Sequence, residues 1–217
     1  MDGGFAVYTD AVGERVLREH FEVESRAIAG GWEESWREFH RGVAVGRFWV
    51  GPPWVEAPAG AEAIVIDPGR AFGTGAHATT RLTLELLQEL RPASFLDVGC
   101  GSGVLAIAAV KLGFTPVIAV DIDETAVEVT LDNARVNGVQ VDARRVDALR
   151  DELPETEVAV ANVALDVVEQ LLPRLPARQL VASGYLEGDE PELQGWRRIE
   201  RRTTDGWAAD LLKRDVT

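Results

Sequence analysis

The sequence of 217 residues is poor in the residue types that build disulfides, metal sites and basic surfaces. It contains one cysteine, Cys100, so no intramolecular disulfide can form, and a reducing compartment suits the chain. The three histidines and this cysteine are scattered and lack the spacing of metal ligands, so we expect no metal site. Lys111 and Lys213 are the only lysines, and arginine supplies the rest of the positive charge.

Long apolar runs are also missing. No stretch approaches the roughly 18 apolar residues of a membrane span, and the first residues do not resemble a signal peptide. The formal net charge of −14 argues against a nucleic-acid partner, because phosphate contacts need a basic face. We therefore expect a cytoplasmic, soluble, globular protein with no membrane or nucleic-acid partner. Its acidic surface would attract a basic protein substrate.

The most informative stretch covers residues 95–109, which read as a buried strand, a glycine turn and a helix. The pattern predicts that the helix continues to about Leu112 and stops at Gly113. Such a turn points backbone N–H groups and a helix N-terminus at a ligand, and lets the ligand approach the main chain closely. A second apolar strand ends at Asp121, about 20 residues past Gly101, where an acid can accept both hydroxyls of a ribose. The unit predicts a nucleoside site.

The glycine spacing indicates which nucleoside is bound. A dinucleotide fingerprint would need a glycine where this chain has Val104, and the chain instead reads Asp97-x-Gly99-x-Gly101-x-Gly103. A diphosphate gains nothing from a neighbouring carboxylate, because like charges repel, whereas a ligand with an ammonium and a sulfonium group fits one. S-adenosylmethionine is such a ligand, and the pattern resembles motif I of the class I methyltransferases. The alternative is a glycine turn that only links a strand to a helix.

A second glycine-containing segment lies upstream of motif I. Gly73 and Gly75 flank Thr74 ahead of a helix opened by threonines, and such a loop can hold the carboxylate of an amino-acid ligand. The run over residues 72–80, Phe-Gly-Thr-Gly-Ala-His-Ala-Thr-Thr, resembles the signature of the ribosomal protein L11 methyltransferase (PrmA) family. Its place immediately before motif I is also that of the family, and the resemblance extends over residues 31–217.

The resemblance implies S-adenosyl-L-methionine as the cofactor and suggests which residues bind it. The implied cofactor-binding residues are Phe72, Gly73, Thr74, Gly75, His77, Thr80, Asp97, Gly99, Gly101, Gly103, Asp121, Ile122, Asp147 and Asn162. Without the resemblance, His77 would be interpreted as a capping or core histidine. Asp147 stands where methyltransferases of this class often accept the adenine amino group, and it is equally well interpreted as a helix cap before Ala148.

Asn162 is the candidate catalytic residue, because a continuous apolar strand over residues 158–161 delivers it at the strand's tip. Nucleic-acid amino methyltransferases have Asn/Asp-Pro-Pro-aromatic there, and the aromatic stacks a flipped base. This chain keeps the asparagine but lacks the prolines and the aromatic, which matches the pattern of the PrmA family. We expect the side-chain carbonyl of Asn162 to accept an N–H of the acceptor amine and to aim its lone pair at the methyl group. The alternative is that Asn162 caps the following helix.

The alternation of strands and helices predicts an α/β fold. We expect a doubly wound, Rossmann-like, seven-stranded methyltransferase sheet that is mostly parallel and has an antiparallel C-terminal hairpin. Further strands are expected at residues 139–143 and 179–184, and the hairpin strands at 196–202 and 207–213.

Pro52-Pro53-Trp54 is the most plausible domain boundary, because two prolines make a rigid connector. It divides the chain into a short N-terminal segment with a Trp-containing linker helix at Trp32 and Trp36, residues 1–54, and an S-adenosylmethionine-binding methyltransferase domain, residues 55–217.

The resemblance implies an enzyme that methylates protein amino groups, either a lysine side chain or an N-terminal amine, with ribosomal protein L11 as the protein substrate. The family carries an N-terminal substrate-recognition domain before the Trp helix, and residues 1–30 stand in its place here, so another protein or a small amine stays open as the acceptor. Two further hypotheses are an NAD-dependent oxidoreductase, which Val104 disfavours, and a non-catalytic module that binds S-adenosylmethionine.

Overall fold

A computed structural model describes residues 41–67 and 75–215 of the chain. The predicted linker helix at Trp32 and Trp36 lies outside the described residues, and its structure stays a prediction.

The described strands and helices alternate along most of the chain. The strands are β1 (Val43–Val45), β2 (Phe48–Gly51), β3 (Glu62–Val65), β4 (Phe95–Val98), β5 (Val117–Asp121), β6 (Asp142–Arg145), β7 (Thr156–Asn162), β8 (Ala177–Leu186), β9 (Trp196–Thr204) and β10 (Trp207–Arg214). The helices are α1 (Ala78–Leu87), α2 (Val104–Leu112), α3 (Glu124–Val136) and α4 (Leu165–Leu171).

The larger sheet has seven strands in the order β6-β5-β4-β7-β8-β10-β9. The first five of these pair in parallel, and β10 is antiparallel to both of its neighbours. A two-residue turn joins β9 to β10, with positive φ values of 52° at Asp205 and 79° at Gly206, as hairpin turns that follow the strand twist require. The predicted α/β sheet with an antiparallel C-terminal hairpin is confirmed.

The order of the strands puts a switch point between β4 and β7, the place at which open α/β sheets form a crevice outside the strand ends. From β4 the chain proceeds to β5 and β6 on one side, and it then returns to β7 on the other side of β4. Open α/β sheets bind ligands outside the carboxyl ends of strands at such a switch point. The glycine turn begins at Gly99, directly after β4, and Asn162 ends β7. The two halves of the predicted site therefore meet at one edge of the sheet.

Two apolar clusters cover the two faces of this sheet. Phe95 belongs to the cluster on the side of α1 and α2, whereas Leu96 and Val98 belong to the cluster on the side of α4. Successive side chains of a strand point to opposite faces, and all four residues of β4 are buried, so this strand is covered on both sides. Among residues 41–67 and 75–215, no helix combines the length and the apolar character needed to cross a membrane.

The ends of the helices follow the sequence signals. Asp123 caps α3 through its side chain, which accepts a hydrogen bond from the Thr125 N–H, as the sequence favours. After α2 and α3 the chain adopts a left-handed conformation at Gly113 (φ 93°) and Gly138 (φ 65°), which only glycine adopts without strain.

The start of β6 differs from the prediction. The strand was expected over residues 139–143 and instead begins at Asp142. The reason is that the Val139 N–H donates to the Ala134 carbonyl at 3.0 Å and so completes the closure of α3. The Val139 N–H is therefore used in the C-terminal cap of α3 and does not take part in the pairing of β6.

A smaller sheet has the order β1-β2-β3, in which β1 and β2 are antiparallel and β2 and β3 are parallel. Its strands lie on both sides of Trp54, where the sequence suggests a boundary, and Phe48 and Ile64 belong to the same apolar cluster as Phe95. The division of the chain into residues 1–54 and 55–217 stays a prediction.

One glycine sets how closely β8 approaches the tip of β7. A Cβ added at Gly184 (φ 104°) would lie 2.1 Å from the Val163 carbonyl oxygen, whereas one at Gly113 (φ 93°) would have its nearest neighbour, a Pro92 carbon, at 3.8 Å. We expect Gly113→Ala to cost about 1 kcal/mol for the backbone conformation alone. Gly184→Ala should cost about 2–3 kcal/mol more, because backbone must move. Urea unfolding midpoints test this, and equal losses in the two variants would contradict the close approach.

Candidate active site

The turn between β4 and α2 is built from three glycines in the left-handed region. Their φ values are 74° at Gly99, 53° at Gly101 and 78° at Gly103. A Cβ at Gly103 would lie 2.8 Å from the Thr130 side chain, so this glycine is needed for space as well as for conformation. The Gly99 N–H donates to the Val120 carbonyl at 2.8 Å, which ties the turn to β5. The predicted strand–turn–helix unit is confirmed.

Asp121, at the end of β5, lies against this turn. Its Oδ2 accepts a hydrogen bond from the Gly101 N–H and its Oδ1 accepts one from the Asp123 N–H, both at 3.0 Å. The carboxylate is half-buried, so it keeps a face toward solvent at the edge of the crevice. Ile122 follows with 61% of its surface exposed, an unusual fraction for a large apolar side chain. An acid and an apolar surface thus lie side by side where the sequence predicts the nucleoside.

Asp97 lies beneath the turn and caps α2 from outside the helix. Asp97 is 1% exposed, and its Oδ2 accepts a hydrogen bond from the Ala106 N–H at 3.0 Å. The residue at the N-cap position, Gly103, offers no side chain, so Asp97 satisfies this N–H instead. The second oxygen, Oδ1, is buried and has no hydrogen-bond partner within the described part of the chain.

Burial gives Asp97 unusual titration behaviour. It raises the pKa of the carboxyl to about 7; the Ala106 N–H opposes this rise, and the charge of Asp121 adds to it. Burial, together with the charge of Asp97, also raises the pKa of the neighbouring Cys100 thiol to about 12. Cys100 therefore stays protonated and is a packing residue of the turn rather than a nucleophile.

The N-terminus of α1 reaches the same edge of the sheet. His77 is its N-cap, and its ring nitrogen Nδ1 accepts the Thr79 N–H at 3.4 Å and lies 2.8 Å from the Thr79 hydroxyl. The His77 ring also meets Trp207 edge-on, with ring centroids 4.8 Å apart. The capping role that the sequence offers for His77 is thus present, and contact with a cofactor stays a prediction. Gly75 precedes it with φ 84°, close against Val50.

Asn162 and Thr80 come together across the crevice. The Asn162 side-chain Nδ2 donates to the buried Thr80 hydroxyl oxygen at 3.4 Å. The alternative in which Asn162 caps the following helix is wrong, because the N-cap of α4 is Ala164 and no side chain caps that helix. The next residue, Val163, donates its N–H to the Ser183 carbonyl at 3.0 Å and fixes the chain after the strand tip. Asn162 is half-buried and ends β7, the strand next to β4 and its glycine turn.

Asp147 lies in a turn after β6 and not at the start of a helix. Its Oδ1 accepts the Leu149 N–H at 3.0 Å, and its own N–H donates to the Asp151 carboxylate at 2.9 Å. The helix-cap alternative is wrong, because no helix follows. Contact of Asp147 with a ligand stays a prediction.

The three remaining candidates, Phe72, Gly73 and Thr74, lie outside the described residues. Within the described ranges, no three His, Cys, Asp or Glu side chains form a group that could hold a metal ion.

Sequence reasoning missed the supports on α3. The Thr130 hydroxyl donates to the Gly101 carbonyl at 3.1 Å, and the Asn133 side-chain Nδ2 donates to the Ser102 carbonyl at 2.8 Å. The sequence does carry a signal, since Asn133 stands inside the helix, where asparagine is not favoured.

Comparison with known proteins gives one family. Residues 8–211 match the family model described as ribosomal protein L11 methyltransferase (PrmA). The chain is 39% identical over 196 residues to the ribosomal protein L11 methyltransferase of Symbiobacterium thermophilum, which covers 83% of this chain and 64% of the relative. It is 45% identical over 177 residues to the enzyme of that name from Neisseria gonorrhoeae, which covers 75% of this chain and 59% of the relative. The chain therefore spans less than two thirds of the length of these relatives.

A solved structure agrees with the sequence comparison. The crystal structure of the ribosomal protein L11 methylase from Lactobacillus delbrueckii subsp. bulgaricus matches with a TM-score of 0.74 and 26% identity. The match covers 82% of this chain and all of that one.

The buried carboxyl of Asp97 predicts a pH-dependent stability. Its pKa is about 7 in the folded chain and 3.8 in the unfolded one, so folding takes up a proton between these values. The stability that this group contributes is fully present below pH 3.8 and is lost as the pH rises through 7. The free energy of unfolding should fall by about 2–3 kcal/mol between pH 5 and pH 7 relative to Asp97→Asn. Parallel pH profiles of the two proteins without ligand would refute this burial effect.

Proposed function

The chain belongs to the ribosomal protein L11 methyltransferase (PrmA) family, and from this premise we propose that it is an S-adenosylmethionine-dependent methyltransferase of protein amino groups. One observation carries the proposal. The acid-led glycine turn after β4 and Asn162 at the tip of β7 open onto the same crevice, at the switch point of the sheet. A methyl donor in the turn would therefore lie next to the residue that orients the acceptor.

The described residues fit S-adenosyl-L-methionine. The unpartnered, buried oxygen of Asp97 suits a cationic ligand, because an opposite charge favours the ionised carboxyl. Asp121 would accept the ribose hydroxyls, and exposed Ile122 offers an apolar surface for the adenine beside them. When bound, the cofactor supplies an electrophilic methyl group. Gly75, His77 and Asp147, with Phe72 to Thr74, are proposed as further contacts on the strength of the family signature alone.

Asn162 is proposed to orient the acceptor. A side-chain amide has one donor end and one acceptor end, and here the donor end is engaged by the Thr80 hydroxyl oxygen. The carbonyl end is then left to accept an N–H from the amine, which turns the amine's lone pair toward the methyl group. Positioning of this kind accounts for much of the rate in reactions that need little covalent help from the protein.

The acceptor amine must react in its neutral form. An unperturbed lysine has a pKa of about 10.4, so most of it is protonated at neutral pH. A crevice with little water beside a positively charged ligand lowers that pKa, because both effects disfavour a second cation. The site needs no separate strong base for a fraction of the amine to be reactive.

The hypothesis of an NAD-dependent oxidoreductase fits less well. The third glycine of a dinucleotide fingerprint would stand at Val104, which begins α2 and is only 3% exposed. A buried β-branched side chain fills the place where the fingerprint needs a glycine for close packing of the helix against the strand.

Ribosomal protein L11 is the proposed substrate, because the relatives are named for it. The net charge of −14 supports a basic protein acceptor, since opposite charges steer association. Because the chain spans less than two thirds of those relatives, a different protein or a small amine is the alternative acceptor.

We expect purified protein with labelled S-adenosylmethionine and a basic ribosomal protein fraction to label ribosomal protein L11. Asn162→Ala should lower turnover about 100-fold or more while the affinity for S-adenosyl-L-homocysteine stays within about twofold, because only the acceptor is misplaced. Full turnover in the variant would rule out the orienting role. Cofactor binding without any labelled acceptor would favour a non-catalytic module.

Thr80→Val provides a graded test of the same pair. The substitution removes the hydroxyl that receives the Asn162 amide and keeps the shape of the side chain. We expect a roughly tenfold loss of turnover, because Asn162 remains but is free to rotate. A loss as large as that of Asn162→Ala would instead indicate that Thr80 itself contacts the substrate.

A further inference from the structure

Two asparagines lie at the C-terminal end of α3, Asn133 in its last turn and Asn137 at its C-cap, and their side chains bind other segments of the chain. Asn133 is 4% exposed, and its Nδ2 donates to the Ser102 carbonyl at 2.8 Å. Its Oδ1 accepts the Asp67 N–H at 3.4 Å. One side chain therefore joins the glycine turn to the residues that follow β3.

Asn137, the C-cap of α3, binds the last residue of β3. Its Oδ1 accepts the Val65 N–H at 2.8 Å and its Nδ2 donates to the Val65 carbonyl at 2.7 Å, so it pairs with β3 as a neighbouring strand would. The two asparagines have the same side-chain chemistry and lie at the same end of α3, and each binds a residue in β3 or shortly after it. They differ in that only Asn133 reaches the glycine turn.

The turn is held from behind at two successive carbonyls. The Thr130 hydroxyl donates to the Gly101 carbonyl and the Asn133 amide donates to the Ser102 carbonyl, from positions three residues apart on one face of α3. The Gly101 N–H, in contrast, lies on the side of Asp121. A peptide carbonyl and the following N–H belong to one rigid plane, so the hydrogen bond to the Ser102 carbonyl also supports the direction of the Gly103 N–H, which donates to the Cys100 carbonyl at 2.8 Å and closes the turn.

We propose that Asn133 is a positioning residue for the cofactor: through Ser102 it sets the glycine turn in the geometry that binds S-adenosylmethionine, and through Asp67 it fixes the turn relative to β3. This inference rests on the proposed function. A glycine turn has little conformational preference of its own, because each glycine populates many backbone conformations. Its binding geometry must therefore be imposed by neighbours, and Asn133 is a buried neighbour with both a donor and an acceptor in use.

The chain offers a matched pair of variants. Asn133→Asp keeps the shape and the oxygen that faces Asp67, but it places a second oxygen against the Ser102 carbonyl. Asn137→Asp makes the same change one turn along α3, against the Val65 carbonyl, and leaves the glycine turn untouched. Both introduce one carboxylate near the same helix end, so their effects on net charge are the same. Asn133 is buried and Asn137 is half-buried, so the Tm of each variant is measured beside its Kd.

Calorimetric titration with S-adenosyl-L-homocysteine tests the proposal, because this probe has the adenosyl and amino-acid parts of the cofactor. We expect Kd to rise about tenfold or more in Asn133→Asp and to stay within about twofold in Asn137→Asp, at a temperature well below the Tm of both variants. In Asn133→Asp, turnover at saturating cofactor should stay within about twofold of the unsubstituted protein, because Asn162 and the proposed acceptor site are unaffected.

Amide hydrogen exchange of the ligand-free protein is a second measurement. If Asn133 only stabilised the fold, its substitution would not change the exchange rate at the glycine turn selectively. We expect faster exchange at the Gly103 amide in Asn133→Asp, and an unchanged rate there in Asn137→Asp. Unaltered Kd in Asn133→Asp, or equal weakening in both variants, would overturn the proposal. If the unsubstituted protein binds no S-adenosyl-L-homocysteine, the proposed function fails, and the exchange measurement still decides whether Asn133 sets the turn.

Discussion

The structure depends on the reversal that the chain makes between the inner strand β4 and helix α2. Within five residues the backbone must leave a buried strand and enter a buried helix, and Asp97 closes this unit by binding the first turn of the helix through the Ala106 N–H. A carboxylate at a helix N-terminus satisfies an otherwise unpaired N–H and complements the helix dipole. Its other oxygen is buried and has no hydrogen-bond partner among the described residues, so the residue that closes the fold also keeps one polar atom unpaired beside the glycine turn.

The remaining elements keep this turn in place. β5 receives the N–H groups of Gly99 and Cys100 on the Val120 carbonyl, and α3 binds the carbonyls of the following residues. The turn is therefore surrounded by hydrogen bonds to neighbours that are themselves packed in the core. This arrangement suits a cofactor site, since a preorganised main chain loses little entropy when it binds.

Helix α1 and the β9–β10 hairpin support the side of the switch point on which Asn162 lies. The side chain of Arg81 on α1 pairs with Asp205 in the turn between β9 and β10, and His77 packs against Trp207 at the start of β10. Thr80 on the same helix reaches Asn162. The antiparallel hairpin therefore does more than close the edge of the sheet, because it fixes the helix whose N-terminus borders the proposed reaction site.

The sequence by itself determined the α/β sheet, the glycine turn, Asp121 at the end of β5 and Asn162 at the tip of β7. These features follow from local patterns, namely apolar runs, glycine spacing and the alternation of strands with helices, and parallel strands bring their carboxyl ends to one edge. Local pattern reading failed at the start of β6, where helix closure takes up Val139, and in the helix-cap alternative for Asp147, where a turn forms instead.

Only the tertiary structure decided which side chains meet. The partners Asn162 and Thr80 are 82 residues apart in sequence, Asn133 and Asp67 are 66 apart, and Asn133 and Ser102 are 31 apart. No sequence periodicity links such positions, because they come into contact only after the strands have assembled into the sheet and the helices have packed against it. Short sequence motifs therefore indicated which residues belong to the proposed site, and long-range packing set the distances between them.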